Sequence, residues 1–507
     1  MSKLYIFGIG GTGSRVLKSL TMLLASGVEC GADTIVPIII DRDTLNEDLT
    51  RTKLLIDDYI AVNEIAEKTK ENRFCKTKIK KLGGKIELAL LGEAKVFSEF
   101  IGKDSMTKEN KALVDMLFSE ETLSMDMTVG FQGNPNIGSV VLNQFDDNDI
   151  FKTFSTDFQE GDKIFIISSI FGGTGASGFP LLLKILNEKI PDADKKGLNN
   201  WGIINNAPKG AVSVLPYFKV GSSNDSLVNS DTFVDKTKAA LSYYKTLKNQ
   251  LDTLYYVADK TPSTFEHHKG GDKQRNDAHF IELVAALSIL DFVNPQKSGD
   301  NIHKPVDEGN KISRNNTTYT EYGFLPDAGK NECSVIDFTN LGKETKGLLV
   351  EQITRFTIFC KYMGYTIENN KVIKSNKSVF DRQYNKQPYS YLLEQPAQRF
   401  KSKITKLLDL QAKFYEWLFE MNSTRHSRKF YPLNLEKTTP FDFIKGDMDS
   451  IIIAPKWFDK IRLIKNWARV DNELNKQIHK IDKALNPEER FFEVFYCATK
   501  SLIKFKR

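Results

Sequence analysis

Short unbroken apolar runs alternate with stretches of helical spacing through the first half of the chain. Leu4-Tyr5-Ile6-Phe7 leads into Gly8-Ile9-Gly10-Gly11-Thr12-Gly13-Ser14. Val16 to Leu24 then carries apolar residues at helical spacing. This predicts strand, glycine loop and helix. Ile35-Val36-Pro37-Ile38-Ile39-Ile40 predicts a buried strand that ends at Asp41-Arg42-Asp43. The pattern repeats where Ile164-Phe165-Ile166-Ile167-Ser168-Ser169-Ile170 runs into Gly172-Gly173-Thr174-Gly175-Ala176-Ser177-Gly178. A helix over about 178–189 is expected next, with Pro180 in its first turn. Further strands are predicted at Gly210 to Val214 and Thr253 to Val257, with a helix near 231–249 between them. Asn276 to Phe292 is apolar nearly all round and predicts a buried central helix. Apolar strands separated by helices imply an α/β fold with a parallel sheet covered on both faces. Ligands of such sheets sit at the carboxyl ends of the strands, where the first glycine loop, Asp41 and Asp43 all fall.

Other stretches say less. Residues 50–125 read as largely helical and charged. Residues 128–138 read as a turn-rich loop, because Asn134-Pro135-Asn136 is excluded from a helix interior. Residues 294–332 are polar and read as a linker or a large surface loop. Helices are expected near 341–362 and 395–421. The second of these carries Phe414, Trp417, Leu418 and Phe419 for core packing or a protein partner.

Composition excludes several classes. The 507 residues carry 71 basic and 65 acidic side chains, a net charge of +6. That is mild for this length and lacks the basic stripe of a nucleic-acid binder. Lys76-Thr77-Lys78-Ile79-Lys80-Lys81 and Lys504-Phe505-Lys506-Arg507 read as solvated surface. No apolar run approaches the roughly 18 residues of a membrane span, and Met1-Ser2-Lys3-Leu4 lacks the layout of a secretion signal. The five cysteines (Cys30, Cys75, Cys333, Cys360, Cys497) are scattered, so neither a zinc ribbon nor a disulfide framework is indicated. The expectation is a reduced, cytoplasmic protein.

The two glycine loops carry the chemistry. Glycine admits close approach of backbone to phosphate oxygens, and a following helix aims free N–H groups at the same place. Two such loops suggest one anionic ligand gripped from two sides. Thr12, Ser14, Thr174 and Ser177 offer hydroxyl donors. Asp41 and Asp43 would face Mg²⁺ through water, bind a ribose hydroxyl, or cap a turn. No direct protein ligation of a metal is predicted. Neither loop has the Lys of a Walker-type phosphate loop. His267-His268 reads as a loop pair, His279 as a core histidine, and Glu282 as buried or paired.

In this order the motifs resemble the tubulin/FtsZ superfamily, more closely its divergent bacterial tubulin-like branch. The resemblance covers roughly residues 3–292. Gly8 to Ser14 is similar to the family's opening glycine loop, with Arg15 where an Asn is usual. Gly133-Asn134-Pro135-Asn136-Ile137-Gly138 resembles its second phosphate loop. Gly172 to Gly178 resembles its signature loop, with Phe171 in place of the first Gly. Val214-Leu215-Pro216-Tyr217-Phe218 is similar to the segment after the next strand.

The resemblance implies a nucleotide-binding domain over 1–272 and a core helix over 273–293. A linker with a second, activation-type α+β domain would follow over 294–390, then a helical region over 391–507. It implies GTP with Mg²⁺, a nucleotide-binding position at Arg15 in place of the usual Asn, a base contact from Asn276 or Asp277, and head-to-tail self-assembly into filaments. Hydrolysis in the family uses acidic residues after the core helix. Counted from Asn276, these correspond to Asp300, Asp307 and Glu308, whereas Asp291 comes too early. Two other functions fit parts of the sequence. One is a nucleotide-binding scaffold that does not polymerise. The other is a ubiquitin-activating (ThiF-like) ATP-dependent enzyme, whose adenylation start is similar to the first loop with Asp41 and Asp43.

Overall fold

A computed structural model describes residues 2–43, 46–65, 73–88, 94–128, 130–131, 133–143, 148–191, 193–220, 231–259, 263–265, 271, 274–293, 313–314, 317–318, 320–324, 351–363, 399–423 and 467–503. Its centre is a sheet of β1 (Lys3–Ile9), β2 (Thr34–Ile40), β3 (Lys78–Ile79), β4 (Lys163–Ser169), β5 (Lys209–Val214), β6 (Thr253–Val257) and β7 (Thr320–Phe324). The order is β7-β6-β5-β4-β1-β2-β3 and every neighbouring pair is parallel. β1, β2 and β4 are buried from their second residue on, and β5 throughout. That is why their sequences are continuously apolar rather than alternating. Pro37 is tolerated inside β2 because β3 pairs only as far as Ile35. The proline's missing donor faces the strand edge beyond that point.

The strand order has one consequence for the site. The chain moves outward from β1 through β2 to β3, then returns to β4 on the other side of β1 and moves outward again. The direction reverses between β1 and β4, whose register sets Gly8 opposite Ile167. A crevice opens at such a switch point, outside the carboxyl ends of the two strands. Both glycine loops leave from those ends.

Helix α1 (Gly10–Ala25) follows β1 and packs against α2 (Glu47–Ile65) and α5 (Phe280–Val293). Every residue of α1 except Gly11 is buried. The apolar sequence of α5 is explained by the same packing, since α5 also covers β5 and β6. Two further helices shape the crevice, α3 (Pro135–Val141) and α4 (Gly173–Asn187). In the C-terminal part, α6 (351–363) is buried from residue 352 onward. Helix α7 (Arg399–Ser423) lies along α2, and α8 (Pro487–Leu502) follows. These helices share one apolar core with the sheet domain. Phe74 stacks on Phe359 at 5.2 Å, Phe356 meets Phe414 edge-on at 4.8 Å, and Phe359 lies 4.9 Å from Phe495.

Three local expectations change. α4 starts at Gly173 rather than near 178, so Pro180 lies inside the helix and leaves the Ala176 carbonyl without its helical donor. Asn134-Pro135-Asn136 opens a helix instead of continuing a loop. The Asn134 side chain accepts from the Asn136 N–H, and Pro135 occupies the first turn, where its missing donor costs nothing. Within the stretch read as linker or surface loop, Thr320–Phe324 pairs with Thr253–Val257 as the edge strand.

Candidate functional site

The turn from β1 into α1 is built by backbone-to-backbone packing. A Cβ on Gly13 would lie 2.4 Å from the carbonyl carbon of Gly8, so neither position admits a side chain without movement. Gly10 has φ +70°, which L side chains rarely adopt. The residue preceding α1 is Ile9, which has no capping side chain, and the first turn carries no acid. α4 begins in the same way, with Gly172 as its cap residue and no acid in its first turn. The leading N–H groups of both helices therefore lack the usual side-chain acceptors.

These two ends meet. A Cβ on Gly10 would stand 3.4 Å from the Thr174 Cβ and 3.8 Å from the Gly175 nitrogen. Each helix end carries about half a unit of positive charge. Two like ends in contact repel, and an anion between them removes the repulsion while satisfying the free donors. One buried hydroxyl fits the same picture, since Ser14 Oγ has no hydrogen-bond partner among the described residues.

A third segment closes on the second loop. A Cβ on Gly173 would meet the Asn134 and Gly133 nitrogens at 3.0 and 3.1 Å, and one on Gly138 would lie 2.1 Å from Ser177 Oγ. Gly8, Gly10, Gly13, Gly133, Asn134, Gly172, Gly173, Thr174 and Gly175 thus belong to one cluster. Ser177 is buried there, but its hydroxyl donates to the carbonyl of Gly173 at 2.7 Å, within its own helix. The hydroxyl expected to face phosphate is therefore occupied by the backbone.

Acidic and basic groups rim the cluster. Asp41 and Asp43 end β2 and are buried. The Asp43 carboxylate accepts from the Gly271 N–H at 2.8 Å, and its own N–H donates to Asp41 at 3.2 Å. Burial pushes Asp41 up to about 7. Two rim residues escaped the sequence reading. Asn46 caps α2 through Oδ1, which accepts from the Asp48 and Leu49 N–H groups, and this turns Nδ2 to within 4.0 Å of where a Cβ on Gly11 would stand. The half-buried Lys236 donates to the Gly133 carbonyl at 2.9 Å. Asn46 was legible as the helix start before Glu47 and Asp48. Lys236 carried no local signal.

Arg15 and Asn276, expected at the nucleotide, are engaged with the protein. Arg15 donates to Glu282 at 2.7 Å, to Asp48 at 3.1 Å and to the Tyr217 hydroxyl at 2.6 Å. Asn276 donates to Asp48 twice, from its backbone N–H at 3.1 Å and from Nδ2 at 2.9 Å. The two residues share one buried acceptor, the Asp48 carboxylate. Burial opposes charge on Arg15, but Tyr217, Glu282 and Asp48 more than offset it. His279 and Glu282 are buried and bonded, as the sequence implied. The His279 Nδ1 accepts from Ile281 N–H, and Glu282 accepts from His279 N–H. Asp300, Asp307, Glu308 and the His267-His268 pair lie outside the described residues. Among the described residues no group of three or more His, Cys, Asp or Glu side chains is placed to hold a metal, and no helix is long and apolar enough to cross a membrane.

No protein-family model matches the chain, and no curated protein matches it. Among solved structures the chain is similar to CetZ2 from Haloferax volcanii, described as a GTPγS-bound protofilament, at 15% identity and a TM-score of 0.27. The match spans 59% of this chain and 60% of that one.

Proposed function

We propose that this chain is a tubulin/FtsZ-like nucleotide-binding protein that takes GTP, hydrolyses it and assembles head to tail. One observation carries the binding part. The uncapped starts of α1 and α4 touch at a topological switch point, with the 133–138 segment pressed against α4. Phosphoryl transfer asks a protein mainly to position phosphates and neutralise their charge. The amides at the start of α1, from Gly10 on, and of Gly173 to Gly175 are the donors for that task. Mg²⁺ would supply further neutralisation of phosphate oxygens, with Asp41 and Asp43, just past the end of β2, as the candidate carboxylates. Selection of GTP, hydrolysis and self-assembly are supported by the order of five motifs along the sequence. An activating-enzyme reading uses only the first loop with Asp41 and Asp43, and leaves Gly172 to Gly178 without a role.

Sedimentation of the full chain with GTP, GDP, ATP or no nucleotide, with phosphate release recorded, tests this reading. Pelleting that requires GTP, with phosphate release rising faster than protein concentration, supports a shared site between subunits. GTP binding without pelleting or release would support the scaffold. A response to ATP alone would support the activating enzyme.

A further inference from the structure

We infer that Glu420, on α7 and far from both glycine loops in sequence, is a positioning residue for the nucleotide site. The inference rests on the nucleotide reading above. One carboxylate ties together three elements that flank the first loop. Its Oε2 accepts from Lys18 Nζ on α1 at 2.9 Å and from the Ala278 N–H, just before α5, at 3.0 Å. Its Oε1 accepts from Arg51 on α2. The cations it holds are adjacent to the network around Arg15. Lys18 stands one helical turn beyond Arg15. Arg51 stands one turn beyond Asp48, 3.9 Å from that carboxylate, and donates to the Asn276 carbonyl at 3.4 Å. The 276–278 segment is thereby held from two sides, by Asp48 and by Glu420.

The carboxylate is buried, with Glu420 only 8% exposed. Burial alone would push this carboxyl up, but Lys18 and Arg51 override it and hold it below the usual range. Removing one member of such a cluster leaves buried charge uncompensated, so the surrounding helices must shift. The first to shift are α1, whose amides face the ligand, and the entry to α5.

α7 also provides an internal control. Nearer its start, Lys406 and Lys413 pair with Asp58 of α2, and this contact touches neither α1 nor residues 276–278. Loosening α7 there should not disturb the site.

The test uses the full chain as wild type, Glu420→Gln, Glu420→Asp and Asp58→Asn. GTP affinity is measured by calorimetry, and the melting temperature is measured without nucleotide. Glu420→Gln is expected to bind GTP roughly tenfold more weakly, within the range of couplings between separated sites. Glu420→Asp, which keeps the charge, is expected to recover part of that loss. Asp58→Asn is expected to bind as wild type even if it melts earlier. If Glu420→Gln does not fold, the same comparison runs on Glu420→Asp, expected between wild type and a tenfold loss. Equal affinities for the Glu420 and Asp58 variants would overturn the inference while leaving the nucleotide reading standing. Absence of GTP binding by the wild type would overturn the nucleotide reading itself, and this inference with it.

Discussion

Gly11→Ala separates a loop built for a ligand from a loop built for packing. Gly11 is the one residue of α1 that is not buried, and a Cβ there would find nothing nearer than Arg15 Nη1 at 3.9 Å and Asn46 Nδ2 at 4.0 Å. It lies in the first turn of a helix, where alanine is favoured over glycine. The unliganded protein should therefore gain stability, by roughly 0.5 kcal/mol. A bound phosphate reverses the sign. A phosphate oxygen accepting from this turn would sit at about 2.9 Å from its donor, and the added methyl would crowd it. The expected cost is at least about 1.4 kcal/mol, or tenfold in affinity. The assay is a paired measurement of melting without nucleotide and GTP titration by calorimetry. A variant that melts earlier than wild type yet binds GTP equally well would refute the reasoning, because it would make Gly11 a packing residue with no ligand beside it.

Gly13→Ala is the opposite case. Its Cβ would lie 2.4 Å from the backbone of Gly8, so a loss of about 3 kcal/mol or more is expected in chemical denaturation; retention of wild-type stability would mean that the turn can open. Asp41 in the folded chain titrates near 7 against an ordinary 3.8. Its raised value favours folding below pH 4, and that advantage is lost as pH climbs through 7, on the order of 4 kcal/mol at most. Asp41→Asn should therefore flatten the fall in melting temperature between about pH 4 and 7, and an unchanged slope would assign the titration elsewhere. Glu282→Gln leaves buried Arg15 with Asp48 as its remaining carboxylate. A loss of about 3 kcal/mol is expected in urea denaturation, whereas a loss below about 1 kcal/mol would mean that Asp48 and Tyr217 satisfy the guanidinium alone.

The sheet was legible because its signal is local. Five of its strands come from runs such as Ile35 to Ile40 and Ile164 to Ile170, where burial on both faces forces an unbroken apolar sequence, whereas β3 (Lys78–Ile79) lies in a stretch that reads as helical and charged. Glycine loops were legible for the same reason. The start of α4 was hidden because Gly173-Thr174-Gly175 reads as loop when it is in fact a first turn under tight packing. The edge strand Thr320–Phe324 was hidden because Thr-Glu-Tyr-Gly-Phe lies in a polar stretch and lacks an apolar run. Least visible were the ion networks. Arg15 meets Glu282 across 267 positions and Lys18 meets Glu420 across 402. Glu282 reads as buried or paired on its apolar helix, but only the fold shows which residue partners it, and only the fold shows that Arg15, Lys18 and Glu420 are buried and paired. The same long-range pairing engages Arg15 and Asn276, two residues that the resemblance put at the nucleotide.

The central claim is that one ligand is held between the starts of α1 and α4. Amide hydrogen exchange of the full chain, with and without GTP and Mg²⁺, addresses it directly. GTP should slow exchange at both Gly10 to Ser14 and Gly173 to Ser177 in the same titration, with half-protection at the same concentration. Protection of one loop alone, or of neither, would contradict the account.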